Sequence, residues 1–154
     1  MRIVVAAVGK PRDGALAAAI HDYEARAARY WPLEVREVRE ESGRSLPPEQ
    51  VRRRESERLT AKLPAGAYVV ACEQGGLTMT SEEFAQWLQR RREEARDLAF
   101  VIGGANGLGD AVRSVTTTRL ALAPWTLPHE VARLVLAEQL YRAGTIVRRE
   151  PYHK

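Results

Sequence analysis

The chain has 154 residues, 45% of them hydrophobic and 29% charged, and a net charge of +4. That content excludes a disordered chain and suits one domain, residues 1–154, with a core of its own. No apolar run approaches the ~20 residues of a membrane helix, the short RIVVAAV near the start lacks a signal-peptide layout, and a lone Cys72 excludes an internal disulfide framework or a cysteine metal site, so a cytoplasmic protein is expected, with neither membrane nor metal as partner.

RIVVAAV (2–8) reads as a buried strand. Residues 14–30 place Leu16, Ile20, Tyr23 and Ala27 at helical spacing behind Asp13, a suitable N-cap. After Pro32, LEVREV (33–38) alternates as a half-exposed strand does, and EESGRSLPP (40–48) is a loop opening a charged helix over 49–62. AYVVACE (67–73) is strand-like; the following helix starts at Ser81 with glutamates in its first turn, where they suit the helix dipole. LAFVI (98–102) is a further strand, followed by a glycine-rich loop, a short helix near 109–114 and the strand TRLALA (118–123). HEVARLVLAEQLYRAG (129–144) is an amphipathic helix with Val131, Leu134, Val135 and Leu140 on its apolar side and Gly144 near its end. Trp31 and Trp87 fall at core positions, and His21 on a solvated or structural face. This alternation of strand and helix predicts an α/β fold with a largely parallel sheet flanked by helices.

Ligands in such sheets sit beyond the C-terminal strand ends. Three glycine- or proline-rich segments qualify there: EQGGLTMT after 72, GGANGLG after 102 and PWTLPHE after 123. Neither standard phosphate-binding pattern fits the glycines. Gly107 and Gly109 would need a third glycine at 112, where Val112 stands, and no Gly-Lys-Ser/Thr sequence occurs. The charge distribution adds a basic C-terminal end, with five cations from Arg133 to Lys154 against Glu138 and Glu150. A mild basic excess permits a nucleic-acid partner without demanding one.

VIGGANGL (101–108), WTLPHE (125–130) running into VARLVLAEQLYRA, and the terminal PYHK together resemble the RlmH family, SPOUT-class methyltransferases of large-subunit ribosomal RNA. The resemblance extends over essentially the whole chain. It implies an α/β knot, in which the C-terminal segment threads through a preceding loop, an exception to the usual unknotted connections. It further implies S-adenosylmethionine as cofactor, a homodimer whose active sites lie at the subunit interface, and N3 of pseudouridine 1915 in helix 69 of 23S rRNA as acceptor. That RNA would be met within the large subunit or the 70S ribosome.

By the same resemblance, the cofactor lies against Cys72, Gly103, Gly104 and Gly107 on one side and Leu122, Ala123, Pro124, Trp125, Thr126 and Leu127 on the other. Main-chain recognition of adenine and ribose needs small or absent side chains. Cys72 stands where the family usually has leucine, a substitution a small hydrophobe can serve. The family loop commonly reads GGPEG; Ala105-Asn106 replaces its proline and glutamate, and asparagine cannot take a proton. The catalytic candidates are His153, Arg142, Glu138, Tyr152 and His129. His129 reads equally as a cap on the last helix. Glu138 and Arg142, four apart, read either as a surface pair worth ~0.3–0.5 kcal/mol or as an orienting carboxylate and a cation for the developing imide anion. Tyr152 is a candidate to stack on an unpaired base, and Arg133, Arg148, Arg149 and Lys154 are candidate RNA contacts. Two further readings stand beside this one: a SPOUT ribose 2′-O-methyltransferase and a non-catalytic ribosome-binding module.

Overall fold

Period-two alternation in the strands decides how the layers form. The computed structural model describes residues 1–154. In chain order it contains β1 (Ile3–Val8), α1 (Gly14–Ala27), β2 (Leu33–Val38), α2 (Pro48–Thr60) and β3 (Tyr68–Leu77). These are followed by α3 (Ser81–Glu93), β4 (Leu98–Ile102), α4 (Asp110–Arg113), β5 (Thr118–Leu120) and α5 (His129–Val147). The five strands form one sheet in the order β2-β1-β4-β3-β5, every pair parallel.

Successive side chains of a strand point to opposite faces, and both faces here are covered. Ile3, Val5 and Ala7 of β1, with Val70, Leu98, Phe100 and Ile102, meet α1, α3 and α5 through Ala27, Phe84, Leu88, Leu136 and Leu140. Ala6, Val8, Val69, Ala71 and Val101 meet α2 and α4 through Leu59, Leu108 and Val112. Covered faces explain why β1 and β4 read as unbroken apolar runs. Trp31 and Trp87 lie in the first layer, where the Trp31 indole N–H donates to the Leu140 carbonyl at 2.8 Å.

Most elements lie where the sequence places them, and Asp13 does cap α1, its side chain accepting the Leu16 N–H at 2.9 Å. α3 starts at Ser81, as the sequence places it, behind Thr80, whose hydroxyl accepts the Glu83 N–H while the Glu83 carboxylate accepts the Thr80 N–H, a reciprocal capping box. Three element bounds differ. β3 continues through Gly75 to Leu77, with a register shift between Cys72 and Leu77 against β5. β5 stops at Leu120, leaving Ala121 to Ala123 outside the strand. α5 runs through Gly144 to Val147, because Gly144 is a packing site: a Cβ there would lie 2.3 Å from Tyr30 Cγ. Of the apolar side expected for α5, Leu140 is buried, together with Leu136, Ala137 and Ala143, while Val131, Leu134 and Val135 remain half-exposed. The helix is apolar on two sides, so periodicity alone could not choose between them.

Candidate active site

The three segments nominated by the sequence meet in one cleft of about 690 Å³ at the C-terminal ends of β3 and β4. One wall is the loop after β4. A Cβ on Gly103 would approach the Gly107 carbonyl carbon and oxygen to 2.9 Å, and one on Gly104 would come within 2.8 Å of Glu55 Oε1. Main chain therefore packs there where any side chain would collide. The loop closes on itself where Gly104 and Gly107 bridge, the Gly107 N–H donating to the Gly104 carbonyl at 3.0 Å, and the N–H groups of Gly103, Ala105 and Asn106 make no main-chain hydrogen bond. Main-chain donors left free in this way are open to a ligand or to solvent.

The opposite wall is Leu122, Ala123, Trp125, Thr126 and Leu127. Its N–H groups likewise make no main-chain hydrogen bonds. Pro124 does not border the cleft; its carbonyl accepts from Gln74 Nε2 at 3.3 Å, and Gln74 Oε1 accepts from the Thr126 hydroxyl at 2.6 Å. Gln74 thus holds the Pro124 carbonyl and the Thr126 hydroxyl on either side of Trp125, which stands 78% exposed at the mouth. Cys72 forms part of the floor, and burial pushes its thiol up to about 12, so the sulfur stays neutral and acts as an apolar surface. Arg52, Glu73, Arg113, Asn106 and His129 complete the rim. His129 is the first residue of α5, and no side chain caps that helix, whose N-cap is Pro128.

The remaining catalytic candidates form a second cluster. Arg142 Nε and Nη2 donate to Glu138 Oε1 at 3.0 and 2.6 Å, and the Tyr152 hydroxyl donates to the same oxygen at 3.0 Å. Arg142 Nη1 lies 3.1 Å from His153 Nδ1, whose Nε2 lies 2.7 Å from Glu82 Oε1. The Tyr152 ring packs against Tyr141 with centroids 4.5 Å apart and carries the Arg142 guanidinium 4.9 Å from its centre. Stacking on a base is thereby replaced by intramolecular packing; burial and the Glu138 contact also hold the phenol well above its usual range. None of these four residues borders the cleft. Arg142 is ten positions beyond Ala132, the last cleft residue of α5, or about 15 Å along the axis.

Arg133 requires a correction. It is 5% exposed, with Nε 2.7 Å from Glu24 Oε1 and Nη1 2.8 Å from Glu37 Oε2. A guanidinium saturated by two carboxylates and sealed from water cannot bind a phosphate. Arg148 covers the Tyr30 ring at 4.6 Å and donates to the Arg29 carbonyl at 3.3 Å, yet remains exposed with Arg149 and Lys154. His21 is exposed on α1.

The model of a family described as "Predicted SPOUT methyltransferase" matches residues 1–153. This chain belongs to the SPOUT methyltransferase family. It is 66% identical over 154 residues to Ribosomal RNA large subunit methyltransferase H of Gemmatimonas aurantiaca, each chain covered completely. It is 42% identical to the protein of the same name in Syntrophotalea carbinolica, with 99% of each covered. Among solved structures, TrmJ from Z. mobilis superposes with a TM-score of 0.51 at 17% identity, covering 100% of this chain and 73% of that one. A putative methyltransferase from Legionella pneumophila, in complex with SAM, gives 0.50 at 11% identity, covering 91% of this chain, which spans 65% of its length. At such identities the SPOUT likeness of these two concerns the fold.

Two residues that contact the walls of the SPOUT cleft are not legible as such in the sequence. Gln74 lies in a segment that reads as loop, and its partners are about 50 positions away. Glu55 lies in the charged run RRRESER, which reads as a solvated face. Helical phase does contain the signal: Val51, Glu55 and Leu59 fall four apart and all are buried.

Proposed function

We propose that this protein is an S-adenosylmethionine-dependent methyltransferase acting on N3 of a pseudouridine in helix 69 of 23S rRNA, as a homodimer, on the large subunit or the assembled ribosome. The observation that carries the reading is the full-length, 66% identity to a relative named for methylation of large-subunit RNA. The cleft fits the cofactor independently. Its two walls present main-chain N–H groups without main-chain partners, Gly103 and Gly104 leave no room for side chains, and its floor is a neutral thiol and aliphatic carbons. These suit the edges of adenine and the ribose hydroxyls, as well as a thioether flank. Bound there, S-adenosylmethionine supplies an electrophilic methyl group.

The protein's share of the chemistry is positioning and charge. Gly103, Gly104, Gly107, Cys72 and residues 122–127 would hold the donor in one orientation. Arg142, oriented by Glu138 and by Tyr152 through the same carboxylate, would stabilise the imide anion that forms as N3 loses its proton, and His153 would relay that proton. His129, at the cleft rim, would face the acceptor base, and Arg148, Arg149 and Lys154 would contact phosphates. Dimerisation is supported by the separation within one chain between the cleft and the Arg142 cluster: a second copy would bring its own cluster to the cleft. The half-exposed Val131, Leu134 and Val135 would provide an apolar face for that contact. A threaded C-terminus is supported by the path from β5, at one sheet edge, back to α5, whose Glu130 accepts the Arg12 N–H at 2.7 Å beyond β1.

Transfer of tritiated methyl from S-adenosylmethionine to undermethylated ribosomes, mapped by nuclease digestion, tests the reading. Label at the helix 69 pseudouridine is expected. Label on a ribose would indicate a 2′-O-methyltransferase, and binding without label a non-catalytic module; either refutes it.

A further inference from the structure

Beneath the glycine loop, on the side away from the cleft, lies a carboxyl group that packing does not require. Glu55 of α2 is 2% exposed. Its Oε2 accepts the Glu41 N–H at 3.0 Å, whereas Oε1 is fully buried and has no hydrogen-bond partner. That free oxygen points at the loop: it lies 2.8 Å from where a Cβ on Gly104 would stand. The loop in turn contains the N–H groups of Gly103, Ala105 and Asn106, which make no main-chain hydrogen bond, whereas Gly104 bridges to Gly107. One residue further along α2, Ser56 Oγ already accepts the Gly109 N–H at 2.7 Å, in a buried contact. α2 therefore holds the far end of the loop and directs an unused acceptor at its near end.

Energetics favour a role over mere packing. Val51 and Leu59 flank Glu55 on the same buried face, so an apolar side chain would fit the helix phase there. A buried acceptor without a partner costs stability that such a side chain would not. Residues that lower stability in this way concentrate at sites of function.

We propose that Glu55 is a positioning residue of the cofactor cleft, its free oxygen accepting a main-chain N–H from the Gly103–Asn106 segment when S-adenosylmethionine is bound. The inference rests on the cofactor reading above. It makes α2 the rear support of the wall on which the cofactor rests: binding draws the loop onto Glu55, and the new hydrogen bond adds to affinity.

Calorimetric titration of S-adenosylmethionine into wild type, Glu55→Met and Glu55→Gln tests this, together with the melting temperatures of the free proteins. Methionine is expected to weaken binding by about tenfold or more, the range of one hydrogen bond to a charged group, without lowering the melting temperature. Glutamine, which keeps one acceptor oxygen, is expected to restore part of the affinity. In wild type alone, an amide proton of residues 103–106 should shift downfield on cofactor addition. Affinity in Glu55→Met equal to wild type overturns the proposal, as does a loss that merely follows a lowered melting temperature; should Glu55→Met not fold, unchanged affinity and the same amide shift in Glu55→Gln overturn it. A wild-type protein that binds no S-adenosylmethionine overturns the cofactor reading itself, an outcome distinct from wild-type binding with unaltered variants.

Discussion

Replacing Arg133 by methionine separates a structural brace from an RNA contact. The variant leaves Glu24 and Glu37, whose side chains are 13% and 28% exposed, facing each other without a counter-charge. Removing one member of a buried ion pair costs 3–5 kcal/mol. Both carboxylates keep some contact with water, which places the expected loss near the lower end, about 3 kcal/mol. At about 2–4 °C per kcal/mol for a chain of this size, the melting temperature should fall by ~6–12 °C. Scanning calorimetry at two salt concentrations measures it, and so buried a network should respond little to added salt. A triple variant that also replaces Glu24 and Glu37 by leucine should recover most of the loss, because the unpaired charges are then absent. A melting temperature within about 2 °C of wild type, combined with ribosome binding whose salt slope drops by about one, would refute the brace and reinstate a phosphate contact.

Gly103→Val should abolish measurable S-adenosylmethionine binding, because its Cβ meets the Gly107 carbonyl at 2.9 Å, while thermal unfolding stays cooperative at a cost of ~1–3 kcal/mol; unchanged affinity by calorimetry would remove the loop from the site. His153→Ala and Arg142→Ala should each reduce methylation of purified ribosomes by about 100-fold, the scale of one lost proton-transfer or charge-stabilising group, with cofactor affinity little changed; a parallel loss of affinity would contradict the separation of cluster and cleft. Burial holds the Glu55 carboxyl above its usual range despite the Glu41 N–H, with Glu40 adding to the effect and Arg58 and His129 opposing it. A raised folded-state value is worth most to stability below the ordinary carboxylate pKa and is lost as pH rises through the folded value. The stability of wild type relative to Glu55→Gln should therefore decline as pH rises above the ordinary carboxylate value of about 4. A difference independent of pH in denaturant titrations would show that Glu55 does not titrate there.

Local rules made much of this fold readable. Apolar runs bounded by turn residues located β1, β4 and the start of β3, and three glycine- or proline-rich segments behind strands converged on one cleft because parallel sheets place such segments together. Long-range pairing lies beyond those rules. Arg133 reads as an exposed cation until Glu24 and Glu37, 109 and 96 positions earlier, are brought beside it. Gln74 acquires its role only when residues 124 and 126 fold back on it. On α5 the sequence points to Leu140 and also to the half-exposed Val131, Leu134 and Val135, because both sides of the helix are apolar and only the packing of α1 and α3 selects between them.

The grip of Gln74 on either side of Trp125 also provides an optical consequence. Trp31 and Trp87 emit from the interior, whereas the third indole stands in water at the entrance to the cleft. Emission of the unlabelled chain thus divides into a blue, shielded component and a red component open to quenchers such as iodide. Occupancy of the entrance can be followed through the red component alone, with no dye attached.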